Sequence, residues 1–248
     1  MFHLDQVSKR YGPLTALDRC ELALESGRTT VLIGPSGCGK STVLRLMIGL
    51  QTPDEGEVRF AGQPLDPQHL AALRQRMGYV IQDGGLFPHL SARGNIALMA
   101  RHLGWSGQRV ASRVAGLAEL TDFPADALDR FPVQLSGGQQ QRVSLMRALM
   151  LDPEALLLDE PLGALDPMIR FDLQRDLKEI FARLGKTVVL VTHDLAEAAF
   201  FADTIVLLRD GRIVQSGSLS EMLERPADAF VRRFVQAQRS LHEVGTER

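Results

Sequence analysis

Residues 29–42 read TTVLIGPSGCGKST, and the order of residue types in this stretch decides the fold. Thr29–Ile33 is a short run of β-branched and apolar residues, the composition of a buried strand. Gly34, Gly37 and Gly39 follow and let the backbone curl with its amide groups turned inward, around an anion. Lys40 comes next, placed to neutralise β- and γ-phosphate oxygens, and the Ser41 hydroxyl is placed to ligate Mg²⁺. TVLRLMIGL at 42–50 then carries the apolar spacing of a helix. A strand, a glycine-rich turn and a helix in that order predict a phosphate-binding loop spanning Gly34, Pro35, Ser36, Gly37, Cys38, Gly39, Lys40, Ser41 and Thr42. The expected ligand is a nucleotide with Mg²⁺ on its phosphates.

Similar apolar runs recur at Gly78–Ile81, Ala155–Leu158, Thr187–Val191 and Ile205–Leu208. Several precede helix-like stretches, which is the pattern of parallel strands buried in an α/β core. Asp210-Gly211 reads as a hairpin turn between Ile205–Leu208 and Arg212–Val214. Phe2 to Leu24 alternates weakly and predicts edge strands. From Leu86 to Phe131 the sequence is rich in Ala, Leu and Arg at helical spacing and lacks a strong strand, so a helical insertion is expected there. The expected division is one domain over 1–248. A catalytic core with a β subdomain occupies 1–85 and 136–217, a helical subdomain 86–135, and a helical tail 218–248.

LSGGQQQR at 135–142 is a second glycine-rich turn that opens into a helical pattern. Ser136 suits an N-cap, and the amides of Gly137 and Gly138 are free to point at an anion. ALLL at 155–158 ends in Asp159-Glu160. Side chains adjacent at a strand end diverge, so Asp159 suits Mg²⁺ through a water and Glu160 suits the attacking water of a hydrolysis. A strand-closing acidic turn would look the same without the phosphate loop beside it.

Composition narrows the class. The chain has 248 residues, 45% hydrophobic and 23% charged, with a formal net charge of -2. That balance fits a globular protein and gives no support to a nucleic-acid binder. No apolar run approaches the ~20 residues that span a bilayer, and MFHLDQVSKRYG lacks a secretory signal pattern. Two cysteines, Cys20 and Cys38, form no disulfide framework, which points to a reduced, cytoplasmic compartment.

Taken together, these motifs resemble the ATP-binding-cassette (ABC) transporter ATPases over nearly the whole chain. The family signature corresponds to Leu135–Gln139, the phosphate loop to Gly34–Thr42 and the acidic strand to Leu156–Glu160. Tyr11 stands where the family stacks an aromatic ring on adenine. Gln82, ending the strand MGYVIQ, matches the Gln that senses Mg²⁺ and links to the membrane partner, and His193, ending VVLVTH, the His that contacts the γ-phosphate. GALD at 163–166 is similar to the loop that crosses the dimer interface. The resemblance implies a P-loop NTPase (RecA-like) α/β core with an N-terminal antiparallel β subdomain and an inserted α-helical subdomain. It implies Glu160, His193, Lys40 and Gln82 as catalytic residues and Ser41, Gln82 and Asp159 as the Mg²⁺ set.

Partners follow from the same resemblance: an ATP-dependent head-to-tail homodimer, separate transmembrane permease subunits and, indirectly, a solute-binding protein. The segment Leu86–His89 would help to receive a permease helix, and the chain would lie on the inner face of the cell membrane. GYVIQDGGLFPHL, HLGW at 102–105 and PADAFVRRFV at 226–235 resemble the quaternary-amine importers for glycine betaine, choline or carnitine. An exporter ATPase, or an importer of another solute such as an amino acid, remains the alternative. Many of that importer group add paired nucleotide-sensing domains after the cassette.

Overall fold

A computed structural model describes residues 1–82, 84–163 and 165–246, with side chains to 238. The first half runs β1 (Phe2–Tyr11), β2 (Leu14–Leu24), β3 (Thr29–Ile33), α1 (Lys40–Met47), β4 (Glu55–Phe60), β5 (Gln63–Pro64), α2 (Leu70–Gln75), β6 (Met77–Val80), α3 (Ala92–His102) and α4 (Gly107–Leu120). The second runs α5 (Gly137–Leu149), β7 (Ala155–Asp159), α6 (Pro167–Leu184), β8 (Thr187–Val191), α7 (Leu195–Phe201), β9 (Thr204–Arg209), β10 (Arg212–Gly217), α8 (Leu219–Glu224) and α9 (Ala229–Thr246). The chain separates into two compact units, one of residues 1–70 and 189–248 and one of 71–188. The division passes through β8.

The first unit holds an antiparallel sheet in the order β2-β1-β4-β5 and the strand sequence β10-β9-β3-β8. β3 and β9 pair parallel, Val31 opposite Ile205 and Ile33 opposite Leu207. Every residue of β3 is buried, as continuous apolar runs covered on both faces require. β9 returns to β10 through Asp210 and Gly211, with φ 49° and 75°. Two consecutive left-handed residues make the type I′ turn that Asp-Gly favours.

The expectation of edge strands over Phe2–Leu24 holds for β2 and fails for β1. β1 lies between two partners, with Phe2 opposite Leu24 on one side and Phe60 on the other. The weak alternation has a local cause. Gln6 (φ 48°) and Arg19 (φ 46°) are left-handed, and the β1–β2 register shifts between Leu4 and Val7. A bulge of this kind turns the following side chains to the other face, which erases a period of two in the sequence. β4, the second partner of β1, was not anticipated.

The second unit contains β8-β7-β6. β6 and β7 run parallel, with Val80 opposite Leu158. α2 (all but Leu70), α3, α4, α5 and α6 also lie in this unit, and α5 touches α3, α4, α6 and β6. Ser91, Ser106 and Ser136 cap α3, α4 and α5, each hydroxyl accepting from a backbone amide three residues on. The tail, expected to be helical over 218–248, forms two helices, because Pro226 falls between α8 and α9. Val231 and Val235 anchor α9 in the first unit, and the Arg209 guanidinium lies 4.5 Å from the centre of the Phe230 ring. Residues 247–248 lie outside the described residues. Among those described, no helix is long and apolar enough to cross a membrane.

Phe60 is fully buried and its ring centre lies 4.8 Å from that of Phe2. Phe60→Ala is expected to lower stability by about 3–5 kcal/mol, measured by chemical denaturation; a loss under 1 kcal/mol would show that this sheet does not depend on the pair.

Candidate functional site

In the first unit, Gly34–Thr42 joins β3 to α1. Gly34, Gly37 and Gly39 have φ of 150°, 77° and 107°, conformations that side-chain-bearing residues rarely adopt. Space is as strict as angle. A Cβ on Gly39 would sit 2.6 Å from the Ala16 carbonyl oxygen, and one on Gly34 would collide with the Leu208 carbonyl. Gly211 donates to the Cys38 carbonyl at 3.2 Å, so the β9–β10 turn braces the loop from behind.

Lys40 is 6% exposed. Its ammonium donates to the carbonyls of Gly34 at 2.8 Å and Pro35 at 3.0 Å, and lies 3.8 Å from Cys38 Sγ. Burial pushes the Cys38 thiol pKa up, against the pull of the Lys40 ammonium, so the thiol stays neutral. Gly39, the N-cap of α1, brings no side chain to its first-turn amides. A buried cation and a helix N-terminus at one loop form an anion seat, and Pro35, Ser36 and Gly37 are its exposed rim. This geometry fits a polyphosphate.

Two other expected residues lie in the same unit. Tyr11 ends β1, is 41% exposed, and its phenol donates to Gln51 Oε1 just beyond α1. That leaves part of the ring accessible, as stacking requires. His193 is exposed after β8. Thr192 before it donates its amide to the Leu32 carbonyl at 3.1 Å and its hydroxyl to Glu197. Asp194 after it caps α7 by accepting from Ala196 at 2.7 Å and Glu197 at 3.1 Å. The imidazole is therefore presented between a residue tied to β3 and a helix N-cap.

The remaining expected residues belong to the second unit. Asp159 is the last residue of β7 and 5% exposed. Glu160 follows with φ 45°, a left-handed conformation that costs a residue with a side chain about 1–3 kcal/mol. Its carbonyl accepts from Gly163 at 3.1 Å. Gln82 was expected to end its strand, but β6 stops at Val80. Gln82 lies in the turn closed by Gly84 donating to the Ile81 carbonyl at 2.9 Å, and is exposed.

The turn at Ser136 forms a capping box: Ser136 Oγ accepts from the Gln139 amide at 3.3 Å, and Gln139 Oε1 accepts from the Ser136 amide at 3.0 Å. A Cβ on Gly138 would come within 2.9 Å of Ile169 Cγ2 on α6. Gly138 therefore has a packing role besides exposing its amide.

Three groups that the sequence reading passed over organise this unit. Asn95, fully buried, accepts from the Phe87 amide at 2.7 Å and donates to the carbonyls of Phe87, Leu90 and Ser91, which shapes LFPHL. Ser144 and Arg147 on α5 bond to the carbonyls of Gly84 and Gly85. Polar residues inside an otherwise apolar helical stripe, as in RVSLMRALM, were the available signal.

The sequence profile of the family described as ABC transporter matches residues 17–163. The chain belongs to that family. It is 46% identical over 234 residues to the glycine betaine uptake system ATP-binding protein YehX of Escherichia coli, covering 94% of this chain and 76% of that protein. It is 43% identical over 240 residues to the glycine betaine/carnitine/choline transport ATP-binding protein OpuCA of Bacillus subtilis, covering 96% of this chain and 63% of that one. The chain thus spans less than two thirds of the Bacillus relative. The dimeric, post-hydrolysis cassette MJ0796 bound to ADP and Pi superposes with a TM-score of 0.79 at 34% identity, covering 88% of this chain and 99% of that one. The ABC ATPase fold and the family's ATP-binding, ATP-hydrolysing domain are therefore present in this chain.

Gly39→Ala is expected to weaken ATP binding by roughly tenfold or more, because strain of ~1–3 kcal/mol falls on the loop itself. Isothermal titration with ATP measures it; unchanged affinity would show that the loop tolerates a shift away from Ala16.

Proposed function

We propose that this chain is the ATP-hydrolysing subunit of an importer for a quaternary-amine osmoprotectant, working with separate permease subunits on the inner face of the membrane. The observation that carries the reading is the capped, glycine-opened N-terminus of α5, a second anion seat in a chain that already has one at Lys40. Two such seats in one chain are accounted for by two copies packed head to tail. Each ATP would then lie between the Gly34–Thr42 loop of one copy and Ser136–Gln139 of the other. Exposed apolar side chains on α6, Met168 at 78% and Phe171 at 65%, support a protein partner for this unit.

The chemistry is hydrolysis of the terminal phosphoanhydride: water attacks the γ-phosphorus, ADP leaves, and phosphate and a proton are released. Lys40 and the loop amides hold the β- and γ-oxygens. Ser136, Gly137 and Gly138 of the opposite copy add amide donors where charge spreads in the transition state. The Glu160 carboxylate accepts a hydrogen bond from the attacking water and takes its proton or orients it, and His193 steadies the γ-phosphate. Tyr11 stacks on the base. Mg²⁺, when bound, neutralises phosphate charge. Ser41, Asp159 and Gln82 offer the hard oxygen donors it prefers, few in number because the ion keeps several waters.

Closure of the dimer on ATP and release on hydrolysis give a two-state element whose equilibrium depends on one phosphate. Exposed Phe87, in the loop that Asn95 holds, is proposed to meet the permease. The glycine betaine, choline and carnitine transport named for relatives at 42–46% identity supports the substrate class. A solute-binding protein would deliver that substrate.

Glu160→Gln is expected to keep ATP affinity within about threefold while turnover falls by roughly 10²–10⁴; nucleotide binding and phosphate release measure the two, and full turnover would remove Glu160 from its role. Co-expression with the permease is expected to give energy-dependent accumulation of labelled glycine betaine, choline or carnitine. Accumulation of none of the three contradicts the substrate class and leaves the ATPase reading intact.

A further inference from the structure

Arg147 stands in the last turn of α5, far from the signature turn that opens the same helix. Its two terminal nitrogens donate to consecutive carbonyls, Nη1 to Gly85 at 2.7 Å and Nη2 to Gly84 at 2.7 Å. Ser144, fully buried one turn earlier, adds its hydroxyl to the Gly84 carbonyl at 2.8 Å. Gly84 and Gly85 are both left-handed, with φ 67° and 55°. The segment that follows Gln82 is thus held by three hydrogen bonds, two of them charge-assisted, from a single helix.

The donor type matters. A guanidinium spans two acceptors with a planar fork, whereas an ammonium is a point charge on a flexible stem. Charge-assisted bonds near 2.7 Å are short, and taking the partner from a buried one leaves strong acceptors unmet. Helix α5 is itself fixed along its length. Gln140 donates to the Pro132 and Leu135 carbonyls at 3.0 and 3.2 Å, Arg142 pairs with Asp176 on α6, and Arg113 from α4 donates to the Leu149 carbonyl at 2.8 Å. Its 13 residues make a rod ~20 Å long at 1.5 Å per residue.

We infer that Arg147, with Ser144, is a positioning residue that makes the Gln82 turn and the Ser136–Gln139 turn two ends of one moving body. Displacing Gly84-Gly85 displaces α5, and with it the amides at its N-terminus. Neither residue touches ATP; both act through the helix. The inference rests on the roles proposed above for Gln82 and the signature turn.

Amide hydrogen exchange with and without Mg-ATP tests it, in a Glu160→Gln background that holds the ATP state. In the parent protein, ATP is expected to slow exchange at both 136–141 and 84–90. With Arg147→Met added, slowing at 136–141 should persist and slowing at 84–90 should fall by roughly tenfold or more, because the opening of that segment is no longer tied to the helix. Arg147→Lys guards against a folding defect. It keeps the charge and can meet one carbonyl, so melting should stay near the parent while the 84–90 response still falls about threefold or more. If both segments still respond together in Arg147→Met or in Arg147→Lys, the clamp is refuted on its own. If the parent shows no ATP response at 136–141, the signature-turn reading fails, and the inference fails with it.

Discussion

The first unit depends on one buried contact, the Lys40 ammonium folded back onto the carbonyls of Gly34 and Pro35. A cation at 6% exposure is costly unless its donors are met, and here the loop meets them with its own backbone. That arrangement fixes the path of the loop before any ligand arrives. It also explains how tightly the neighbours close in. The Leu208 carbonyl stands against Gly34, the Ala16 carbonyl against Gly39, and Gly211 donates to Cys38. Strand β9, its hairpin and the start of β2 form a mould, and a triphosphate would enter a seat already shaped for it.

Helix α5 plays the corresponding part in the second unit. Its N-terminus carries the capping box at Ser136, and its far turn holds the loop after Gln82. The glycines of LSGGQQQR have two physical reasons to be glycine. They leave amides accessible, and they let the start of α6 approach, since a Cβ on Gly137 or Gly138 would press on Leu165 or Ile169. Anion binding and helix packing therefore constrain the same two positions.

Much of this was legible in sequence because it depends on local rules. Thr29–Ile33 and Thr187–Val191 appear as strands with the expected limits, and Asp210-Gly211 makes the expected hairpin turn. What escaped depends on how the backbone turns and on which groups then meet. The bulge at Gln6 hid the alternation of β1, and β4 became its second partner without any local sign of it. Gln82 was assigned to a strand because YVIQ reads as a continuous apolar end, whereas the Ile81–Gly84 hydrogen bond turns the chain first. The polar interruptions of apolar helical stripes mark Asn95, Ser144 and Arg147 but do not identify their partners, which are carbonyls 4 to 8 residues before Asn95 and 60 and 63 residues before Ser144 and Arg147.

The central claim is that each ATP is completed by the signature turn of a second copy. Mixing two inactive variants, Lys40→Ala and Ser136→Arg, and measuring ATP turnover tests it most directly. In a mixed dimer, the intact phosphate loop of the Ser136→Arg copy faces the intact turn of the Lys40→Ala copy. The account predicts that the mixture regains turnover that neither variant shows by itself. A mixture as inactive as its parts would mean that both turns serve one nucleotide within one chain, and would contradict it.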